Sequence, residues 1–459
     1  MAKYQKYTEY KDSGVEWLGE IPSCWKVIRL KHLILDNLVY GANEAAEDDN
    51  PNNPRYIRIT DMNSDGSLDP NTFRSLPYHI AQSYLLQDGD ILLARSGATV
   101  GKSFLFKSEF GTSCFAGYLI RARSNKSKLN PKFAYWFFQS ESYWKYVSGS
   151  QIQATIQNVS AEKYGDLYLS VPEIQDQGQI ANFLDYETTK IDTLIAKQEK
   201  LIELLKEKRQ AVISHAVTKG LKPNVPMKDS GVEWLGEVPA HWDIAKLKWK
   251  AVTTSGSTPT TSKYELYYEN GDIPWIRTTD LNNGDLYETP IFITPRAVNN
   301  TACSILPVNS ILIAMYGGAG SIGKHSLLKF ESTINQAVCG VLPSKFFEPN
   351  YLHRFYEFYR PFWMVGASGT RKDPNIGQDH IKEALVPIPP IEEQTQIAQH
   401  ISEIQTKFDD LTKKAESAIQ LMQERRTALI SAAVTGKIDV CDWQNPNKNN
   451  NQNNMELSA

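Results

Sequence analysis

Two glycine-rich segments have the spacing that most resembles a phosphate-binding or cofactor site. Gly318-Ala-Gly-Ser-Ile-Gly323 has the G-x-G-x-x-G pattern of dinucleotide sites, and Gly97-Ala-Thr-Val-Gly-Lys-Ser103 is one residue short of a P-loop. The first match is isolated, and Lys324-His-Ser-Leu-Leu328 after it has the pattern of a strand rather than a helix. We therefore interpret the two segments as equivalent glycine turns, each ending in a Gly-Lys pair. Such a turn either brings a lysine to a DNA phosphate or is a plain hairpin.

The other titratable residues do not form a recognisable catalytic pattern. A methyltransferase acting on an exocyclic amino group needs an aromatic-ended Pro-Pro tetrapeptide, but Pro389-Pro390 is flanked by isoleucines and Ser75-Leu-Pro-Tyr78 lacks one proline. No carboxylate cluster suited to metal-dependent cleavage is evident, and His353, in an aromatic helix, is more typical of a core residue than of a ligand. The five cysteines contain no Cys-x-x-Cys pair, so they support neither disulfides nor zinc. We predict a chain without catalytic residues, metal site or cofactor.

Charge is distributed unevenly along the chain. The net charge of −3 does not by itself indicate a nucleic-acid-binding protein. However, residues 91–132 contain one acid, Glu109, and eight basic residues, which are Arg95, Lys102, Lys107, Arg121, Arg123, Lys126, Lys128 and Lys132. This stretch is either a surface that faces phosphates or a solvated face balanced by the acidic run at residues 47–49.

Candidate DNA contacts lie at matching places in the two halves of the chain. Glutamine and arginine side chains can make paired hydrogen bonds to adenine and guanine edges, which favours two polar loops at residues 150–157 and 368–372. The alternative is that these loops are solvent-exposed connections. The candidates are Arg58, Arg95, Lys102, Gln151, Gln153, Gln157, Arg277, Lys324, Thr370, Arg371 and Lys372.

Two long helices are predicted to position these residues. In the first, Leu184, Ile191, Leu205 and Val212 follow a heptad spacing that only Gln198 interrupts, with Leu194 and Leu201 three places after members of the series. Adding 217 to the stripe gives Ile401, Phe408, Ala415, Met422 and Leu429, with Ile404, Leu411 and Ala418 at the interleaved places. Each helix would be about 70 Å long, more than a compact domain needs. The simplest arrangement packs the helices on each other; the alternative is that each caps its own domain.

The chain also contains an internal duplication. Lys11–Glu20 recurs without change as Lys228–Glu237, and Trp25 and Trp242 occupy matching places. We call these two identical segments the signatures. Between each signature and the long helix that follows it, the sequences of the two halves agree only in outline. Both contain short β-branched runs and an aromatic stretch with a helical pattern, at residues 131–138 and 351–359. These patterns predict two mixed α/β domains of related fold.

Length and composition are compatible with this organisation. The 459 residues, with 41% apolar content, allow two or three domains, and neither a signal peptide nor a membrane span is evident, so we expect a cytoplasmic protein. The expected segments are a first domain at 1–170, a helix at 171–220, a second domain at 221–387, a helix at 388–437, and an Asn-rich disordered tail at 438–459.

Taken together, these features resemble the specificity subunit of type I restriction-modification enzymes. The resemblance covers nearly the whole chain. It rests on the duplicated signature, on the helix-start motifs Val171-Pro-Glu-Ile-Gln-Asp-Gln177 and Ile388-Pro-Pro-Ile-Glu-Glu-Gln394, and on Arg-x-Ala-x-Ile-Ser at Arg209 and Arg426.

The resemblance implies a fold and a set of partners. The fold is mixed α/β, with two target-recognition domains joined by an antiparallel coiled coil of two long helices in a pseudo-twofold duplication. Each variable domain would recognise one half of a split double-stranded DNA target, and the helices would set the gap. The implied partners are two modification subunits, which use S-adenosylmethionine to methylate adenine, and motor-nuclease restriction subunits, which use ATP and magnesium. The helices and signatures would be their docking surface.

Two other functions remain open from the residues alone. A stand-alone DNA-binding regulator would share the basic residues but would not need two long helices in matching register. A self-sufficient restriction or methylation enzyme would need the catalytic motifs that are missing. Assays of the purified chain for methyl transfer and cleavage, and co-purification with a methyltransferase, distinguish these functions.

Overall fold

The computed structural model describes residues 4–63, 65–151, 158–317, 320–367 and 375–446, without the side chains of residues 150, 151 and 364–367. The chain forms two compact units. The first unit combines Met1–Glu199 with Glu416–Ala459, and the second unit is Lys200–Ala415. The first unit is therefore discontinuous in sequence, and each unit holds one end of each predicted long helix.

The first unit is built around a four-stranded antiparallel sheet in the order β4-β9-β6-β7. Two antiparallel pairs, β1-β2 and β3-β10, and a parallel pair, β5-β8, complete its sheets. Its strands are β1 (Tyr10–Asp12), β2 (Glu20–Pro22), β3 (Lys26–Arg29), β4 (Val39–Tyr40), β5 (Arg55–Ile57), β6 (Ile91–Ala94), β7 (Ser103–Leu105), β8 (Ser113–Phe115), β9 (Leu119–Ala122) and β10 (Tyr168–Val171). Its short helices are α1 (Tyr78–Ala81), α2 (Pro131–Phe137), α3 (Glu141–Gln151) and α4 (Ala161–Asp166).

The second unit repeats this plan with a five-stranded sheet in the order β14-β21-β18-β19-β16. A long helix, α5 (Ile174–Lys219), precedes its strands in the chain. The strands are β11 (Met227–Asp229), β12 (Glu237–Pro239), β13 (Asp243–Lys246), β14 (Thr253–Ser255), β15 (Ile273–Ile276), β16 (Asp285–Leu286), β17 (Phe292–Ile293), β18 (Ile311–Ala314), β19 (His325–Leu328), β20 (Thr333–Ile334), β21 (Val338–Val341) and β22 (Leu385–Ile388). The remaining helices are α6 (Tyr264–Tyr267), α7 (Pro295–Asn300), α8 (Pro349–Ala367), α9 (Gln378–Glu383) and the second long helix α10 (Ile391–Val434).

The central strand of each sheet is apolar throughout because both of its faces are covered. Side chains of a strand alternate between faces, and in β6 Ile91 and Leu93 enter one core while Leu92 enters another. In β18, Ile311 and Leu312 divide in the same way. The mixed α/β fold predicted for both variable regions is confirmed, and the aromatic stretches predicted as helices lie in α2 and α8.

Both long helices are continuous and end against a glycine. Gly220 and Gly436 follow them with φ of +76° and +70°, a conformation that favours glycine at a helix end. A Cβ on Gly436 would lie 2.4 Å from the ring of Pro22, and one on Gly220 would lie 3.2 Å from Trp242. Each duplicated signature therefore packs against the end of a long helix within its own unit.

The long helices form an antiparallel coiled coil with reciprocal ion pairs. In the first unit Arg426 Nε contacts Asp192 Oδ1 at 2.9 Å, and in the second Arg209 Nη1 contacts Asp409 Oδ1 at 2.8 Å. Each residue number of the second pair differs by 217 from its counterpart in the first. The arginines of the two Arg-x-Ala-x-Ile-Ser motifs thus fasten one helix to the other.

The interleaved positions predicted for the coiled coil need a correction. The main stripe is buried at Leu184, Ile191 and Leu205, but Leu194 and Leu201, three places after stripe positions, are 49% and 42% exposed. On this helix the covered neighbours instead lie four places after the stripe, beginning with Thr188, which is 2% exposed. Positions three and four places on flank the stripe on opposite sides, and the partner helix covers only one flank.

The start of the predicted tail also needs a correction. Ile438 and Val440 are buried in the core of the first unit, and Trp443 packs edge-on against Phe183 at a ring-centroid distance of 5.6 Å. Residues 438–446 therefore belong to the fold, since their apolar side chains cover the first turns of α5. Residues 447–459 lie outside the described ranges. Within those ranges, no helix combines the length and apolar character that a membrane crossing requires.

Candidate nucleic-acid interface

The two glycine turns have matching hydrogen bonds, as expected for equivalent segments. Between β6 and β7, Gly101 N donates to Ala94 O at 2.9 Å and Ala94 N donates to Lys102 O at 2.8 Å. Between β18 and β19, Gly323 N donates to Ala314 O at 3.0 Å and Ala314 N donates to Lys324 O at 2.8 Å. Since a strand follows the second turn, the segment does not have the helix of a dinucleotide-binding fold.

A tryptophan supports the last glycine of each turn. Gly101 and Gly323 have φ of +85° and +68°, and a Cβ would lie 2.8 Å from Trp144 in the first unit and 2.6 Å from Trp363 in the second. Glycine is therefore required twice at each position, once for the backbone angle and once for the contact. The close packing restrains the last glycine of each turn, and with it the position of the lysine that follows.

The surface around each turn combines basic side chains, aromatic rings and accessible backbone groups, and we call it the turn face. In the first unit it consists of Arg95, residues 96–99, Lys102, Tyr118 and Asn158; in the second, of Tyr316, Gly317, Ser321, Lys324 and Gln336. Lys102 is exposed and Lys324 is half-buried. Tyr118 is 66% exposed and its carbonyl accepts a hydrogen bond from Arg95 N at 3.0 Å.

The aromatic part of the first turn face, Tyr40 and Tyr118, was not among the residues predicted from the sequence. The guanidinium of Arg95 lies 4.8 Å from the ring centroid of Tyr40, and Tyr118 lies in the loop before β9. The signal in the sequence was the tyrosine of Ala116-Gly-Tyr118, an aromatic residue beside a glycine in an otherwise buried run. A cation stacked on an aromatic ring beside a second exposed ring is suited to contact sugars and base faces.

The two polar loops predicted to read bases fall on residues that are mostly outside the described ranges. Gln153, Gln157, Thr370, Arg371 and Lys372 lie outside them, and for Gln151 only the backbone, the last residue of α3, is described. The residues that follow both loops are described and lie at equivalent places. Val159 N donates to Arg95 O at 2.8 Å, and Ile376 N donates to Met315 O at 3.0 Å. The described residues that follow each loop therefore lie beside the turn face of their own unit.

Arg58 and Arg277 are engaged in matching clamps. Arg58 Nη2 lies 2.7 Å from Asp61 Oδ1, and its backbone N donates to Asp61 Oδ2 at 2.7 Å. Arg277 binds Asp280 in the same way, at 3.0 and 2.8 Å. The aspartates are 1% and 7% exposed, whereas the arginine side chains are 28% and 38% exposed. Each arginine therefore holds the turn after β5 or β15, and only part of its guanidinium faces solvent.

Comparison with known proteins identifies the family. A family model described as the type I restriction modification DNA specificity domain matches residues 22–204 and again residues 242–421. The chain belongs to this family. It is the DNA specificity subunit of a type I restriction-modification system, a recognition component rather than a catalytic one.

Similar proteins cover almost the whole specificity subunit. A protein of Methanocaldococcus jannaschii, provisionally named the MjaX specificity subunit of a type I restriction enzyme, is 24% identical over 452 residues, covering 96% of this chain and 99% of its own. A solved chain described under complex assembly and conformational transition of the type I R-M system has a TM-score of 0.71 at 14% identity, over 90% of this chain and 98% of that one. The HsdS subunit from Thermoanaerobacter tengcongensis has a TM-score of 0.58 at 15% identity, over 91% and 98%. The similarity to these two solved structures supports the fold described above.

The basic stretch of the specificity subunit does not form one phosphate-facing surface. Arg123 makes a paired contact to the buried Asp90 at 2.7 and 2.8 Å, and this hydrogen-bonded pair raises the pKa of Arg123. Arg121 is 11% exposed, and burial lowers the pKa of its guanidinium. Lys107 and Lys132 pair with acids at 3.2 and 2.7 Å. Arg121, in β9, and Arg123, just after it, both donate to Leu85 O at 3.4 Å, and the pattern of charges alone did not reveal these internal contacts.

Buried cysteines and histidines have the character of core residues. Burial raises the pKa of the Cys114 and Cys339 thiols to about 12, which disfavours the thiolate. His325 and His353 are 1% exposed, with ring centroids 4.7 Å apart. Burial, followed by the nearby Arg360, lowers the pKa of His325 to about 3. Across the described ranges, no group of three or more His, Cys, Asp or Glu residues is arranged to hold a metal ion.

Proposed function

We propose that each unit recognises one half of a bipartite double-stranded DNA target through its turn face. The observation that carries this proposal is the duplication of the turn face with matched hydrogen bonds, together with the equivalent hydrogen bonds of Val159 and Ile376, which follow the two polar loops in sequence. A subunit with a single recognition surface would not need the same construction twice.

The side chains at the turn face and in the neighbouring polar loops are suited to contact the DNA backbone and the edges of the bases. Lys102 and Lys324 would contact phosphates, which position the protein without reading sequence. The glutamines of residues 151–157 and the residues Thr370, Arg371 and Lys372 would supply hydrogen bonds to base edges. Arg95, with Tyr40 and Tyr118, would contact sugars and phosphates of the duplex. Arg58 and Arg277 would reach DNA only with the part of the guanidinium that their clamps leave exposed.

The coiled coil would act as a spacer that sets the gap between the half-sites. Each helix contains more than 40 residues without a break, 46 in α5 and 44 in α10. Half-sites on one face of B-DNA repeat about every 34 Å, so a stiff spacer fixes their separation geometrically. Lengthening both helices equally should widen the gap, and a change in the bases recognised would contradict the spacer function.

Exposed leucines on the long helices support docking of two modification subunits. Leu194 and Leu411, which are 217 residues apart, are both 47% or more exposed, and so are Leu204 and Leu421. The first unit contains Leu194 and Leu421, and the second contains Leu204 and Leu411. Each unit thus presents the same two exposed leucines, which we propose form one apolar patch per unit, and equivalent patches favour two equivalent partners.

The proposed complex assigns all chemistry to the partner chains. The modification subunits would use S-adenosylmethionine to methylate adenine, and restriction subunits would use ATP and magnesium. In this division residues 1–170 and 221–387 recognise DNA, while residues 171–220 and 388–437 space the half-sites and dock partners together with the signatures.

Methylation mapping tests the proposal. The chain is co-expressed with a type I modification subunit, and adenine methylation is mapped across the genome of the host. A bipartite motif with a fixed gap is expected, and replacing residues 21–170 by the corresponding segment of another specificity subunit should change one half-site only. A continuous motif, or no methylation despite a stable complex, would contradict the proposal and favour a regulator.

A further inference from the structure

Each long helix begins with a buried glutamine that makes the same set of hydrogen bonds. Gln177 and Gln394 are 1% and 0% exposed and lie 217 residues apart. Both are the last residue of the helix-start motif, three residues into the helix. Long polar side chains are rarely buried so completely unless their hydrogen bonds are satisfied.

The amide of each glutamine is fully used. Gln177 Oε1 accepts from Asn130 N at 2.8 Å, and its Nε2 donates to Lys128 O at 3.0 Å and to Pro172 O at 2.9 Å. Gln394 Oε1 accepts from Glu348 N at 2.8 Å, and its Nε2 donates to Phe346 O at 2.9 Å and to Pro389 O at 2.8 Å. An amide supplies two donors and one acceptor in a single plane, which neither glutamate nor an apolar side chain reproduces.

These bonds join the long helix to the helix that supports the turn face. Asn130 caps α2, since its side chain accepts from Lys132 N and Phe133 N, and Glu348 caps α8, since its side chain accepts from Tyr351 N. In the second unit α8 leads directly from this joint to Trp363, which packs against Gly323 of the turn. In the first unit α2 is followed by α3, whose Trp144 packs against Gly101.

We propose that Gln177 and Gln394 are positioning residues that fix each turn face on its own long helix and so restrict the gap that the specificity subunit accepts. This inference rests on the proposed bipartite recognition. A buried, three-bonded joint has one favourable geometry, because any tilt breaks bonds that no water can replace. In the second unit a tilt at the joint is magnified at the turn face, because Trp363, which contacts the turn, lies near the far end of α8.

Gap selectivity is the measurement that tests this inference. The complex with a modification subunit is assayed for methylation of duplexes whose half-sites are constant and whose gap is shortened or lengthened by one base pair. The wild-type complex should prefer one gap. Gln177→Leu and Gln394→Leu should each reduce that preference about tenfold, because misplacement by about 1 Å is enough to cost two orders of magnitude in rate. The bases recognised in both half-sites should not change.

Thr188→Val is the matched control, since Thr188 is 2% exposed on the same helix and its hydroxyl donates within that helix, to Leu184 O at 2.6 Å. Its gap preference should equal that of the wild type. Gln177→Glu, which keeps the shape of the side chain but loses two donors, provides a second variant if the leucine variant does not assemble.

Three results would overturn the inference. The first is an equal loss of methylation at all gaps, and the second is a loss of sequence selectivity in one half-site. The third is failure of both the leucine and the glutamate variants to assemble. Each of these results would indicate that the joint is needed only for folding. If the wild-type complex methylates all gaps equally, or a continuous site, the proposed bipartite function fails instead, independently of the glutamines.

Discussion

At the scale of residues, the lysines of the glycine turns remain the most direct candidates for DNA contact. Lys102 and Lys324 follow glycines whose conformation is held by Trp144 and Trp363. Sequence patterns located these lysines because a glycine turn is a local feature. They could not separate Arg121 and Arg123 from the surface lysines, because the partners of these arginines depend on tertiary contacts.

Replacing Lys102 by glutamine should weaken DNA binding without changing the half-site. Loss of one phosphate contact reduces the slope of log K against log salt by about 1. The measurement is the binding of the modification complex to its target at several salt concentrations. Lys126→Gln is the control, since this exposed lysine lies beside Gly89 at the opposite end of the sheet. Equal effects of the two substitutions would count against a turn-face contact.

The clamp at Arg58 predicts the same outcome for substitution of either partner. Arg58→Ala leaves the buried Asp61 without its cation, which should cost roughly 1–3 kcal/mol of folding free energy. Asp61→Asn should reproduce the loss of stability and any loss of methylation. A change in the bases recognised by Arg58→Ala, but not by Asp61→Asn, would show that the arginine reads DNA directly. Mapping methylation for both variants distinguishes the two functions.

The buried histidines make stability depend on pH. Burial is the main cause that lowers the pKa of both His325 and His353 in the folded chain, with Arg354 contributing at both rings. As the pH falls, the unfolded chain therefore binds protons before the folded chain does. The stability that the neutral histidines contribute is present above about pH 6.5, and it is lost as the pH falls toward the pKa of His325 in the folded chain, which is about 3. His353→Leu should reduce the fall in melting temperature between pH 7.5 and 5.5 relative to wild type. His400→Gln, on an exposed helix position, is the control substitution.

At the scale of elements, the heptad stripe predicted both long helices and their pairing, but not which flank of the stripe is covered. Residues three places after the stripe, such as Leu194, and residues four places after it, such as Thr188 and Ile195, are both compatible with a coiled coil. The structure places Thr188 inside and Leu194 outside. Both flanks contain apolar residues, so the sequence pattern does not decide between them, whereas the ion pairs of Arg209 and Arg426 place the flank four places after the stripe against the partner helix.

The exposed leucines lead to a prediction about stoichiometry. Leu194→Lys combined with Leu421→Lys should remove the apolar patch of the first unit and leave a complex with one modification subunit, since a lysine in a buried interface is strongly unfavourable. The corresponding pair, Leu204→Lys with Leu411→Lys, should have the same effect. Mass measurement of the purified complexes reports the number of subunits. Leu35→Lys, on an exposed position of the first variable region, is the control. Retention of both subunits would contradict docking at these patches.

At the scale of the whole molecule, the duplication extends through the variable regions although they share few residues. The signatures and the helices match in sequence because they are identical or periodic. The variable regions match only in outline, because their exposed and inserted residues differ. The equivalence of the turns, of the clamps and of the buried glutamines depends on hydrogen bonds that residue identity does not display.

Removal of residues 438–446, together with the tail that follows, should destabilise the first unit. Ile438 and Val440 are 2% and 3% exposed, and Asp439 N donates to Gln5 O at 2.8 Å. Each buried apolar side chain contributes about 1.5–3 kcal/mol. Limited proteolysis of the truncated chain should cut within residues 1–199 before it cuts within residues 200–415. A matched truncation after Gln444 retains the buried residues and should resist proteolysis like the full chain.

The discontinuity of the first unit also determines the order in which the chain can fold during synthesis. Domains usually fold from the N-terminus as they emerge. Here Lys200–Ala415 is contiguous and can close its core as soon as it has been made, whereas Met1–Glu199 lacks Leu429, Ile430 and Ile438 of its own core until the C-terminal segment follows. The half that is translated first is therefore the half completed last, and its apolar surface stays exposed to chaperones and proteases for most of translation.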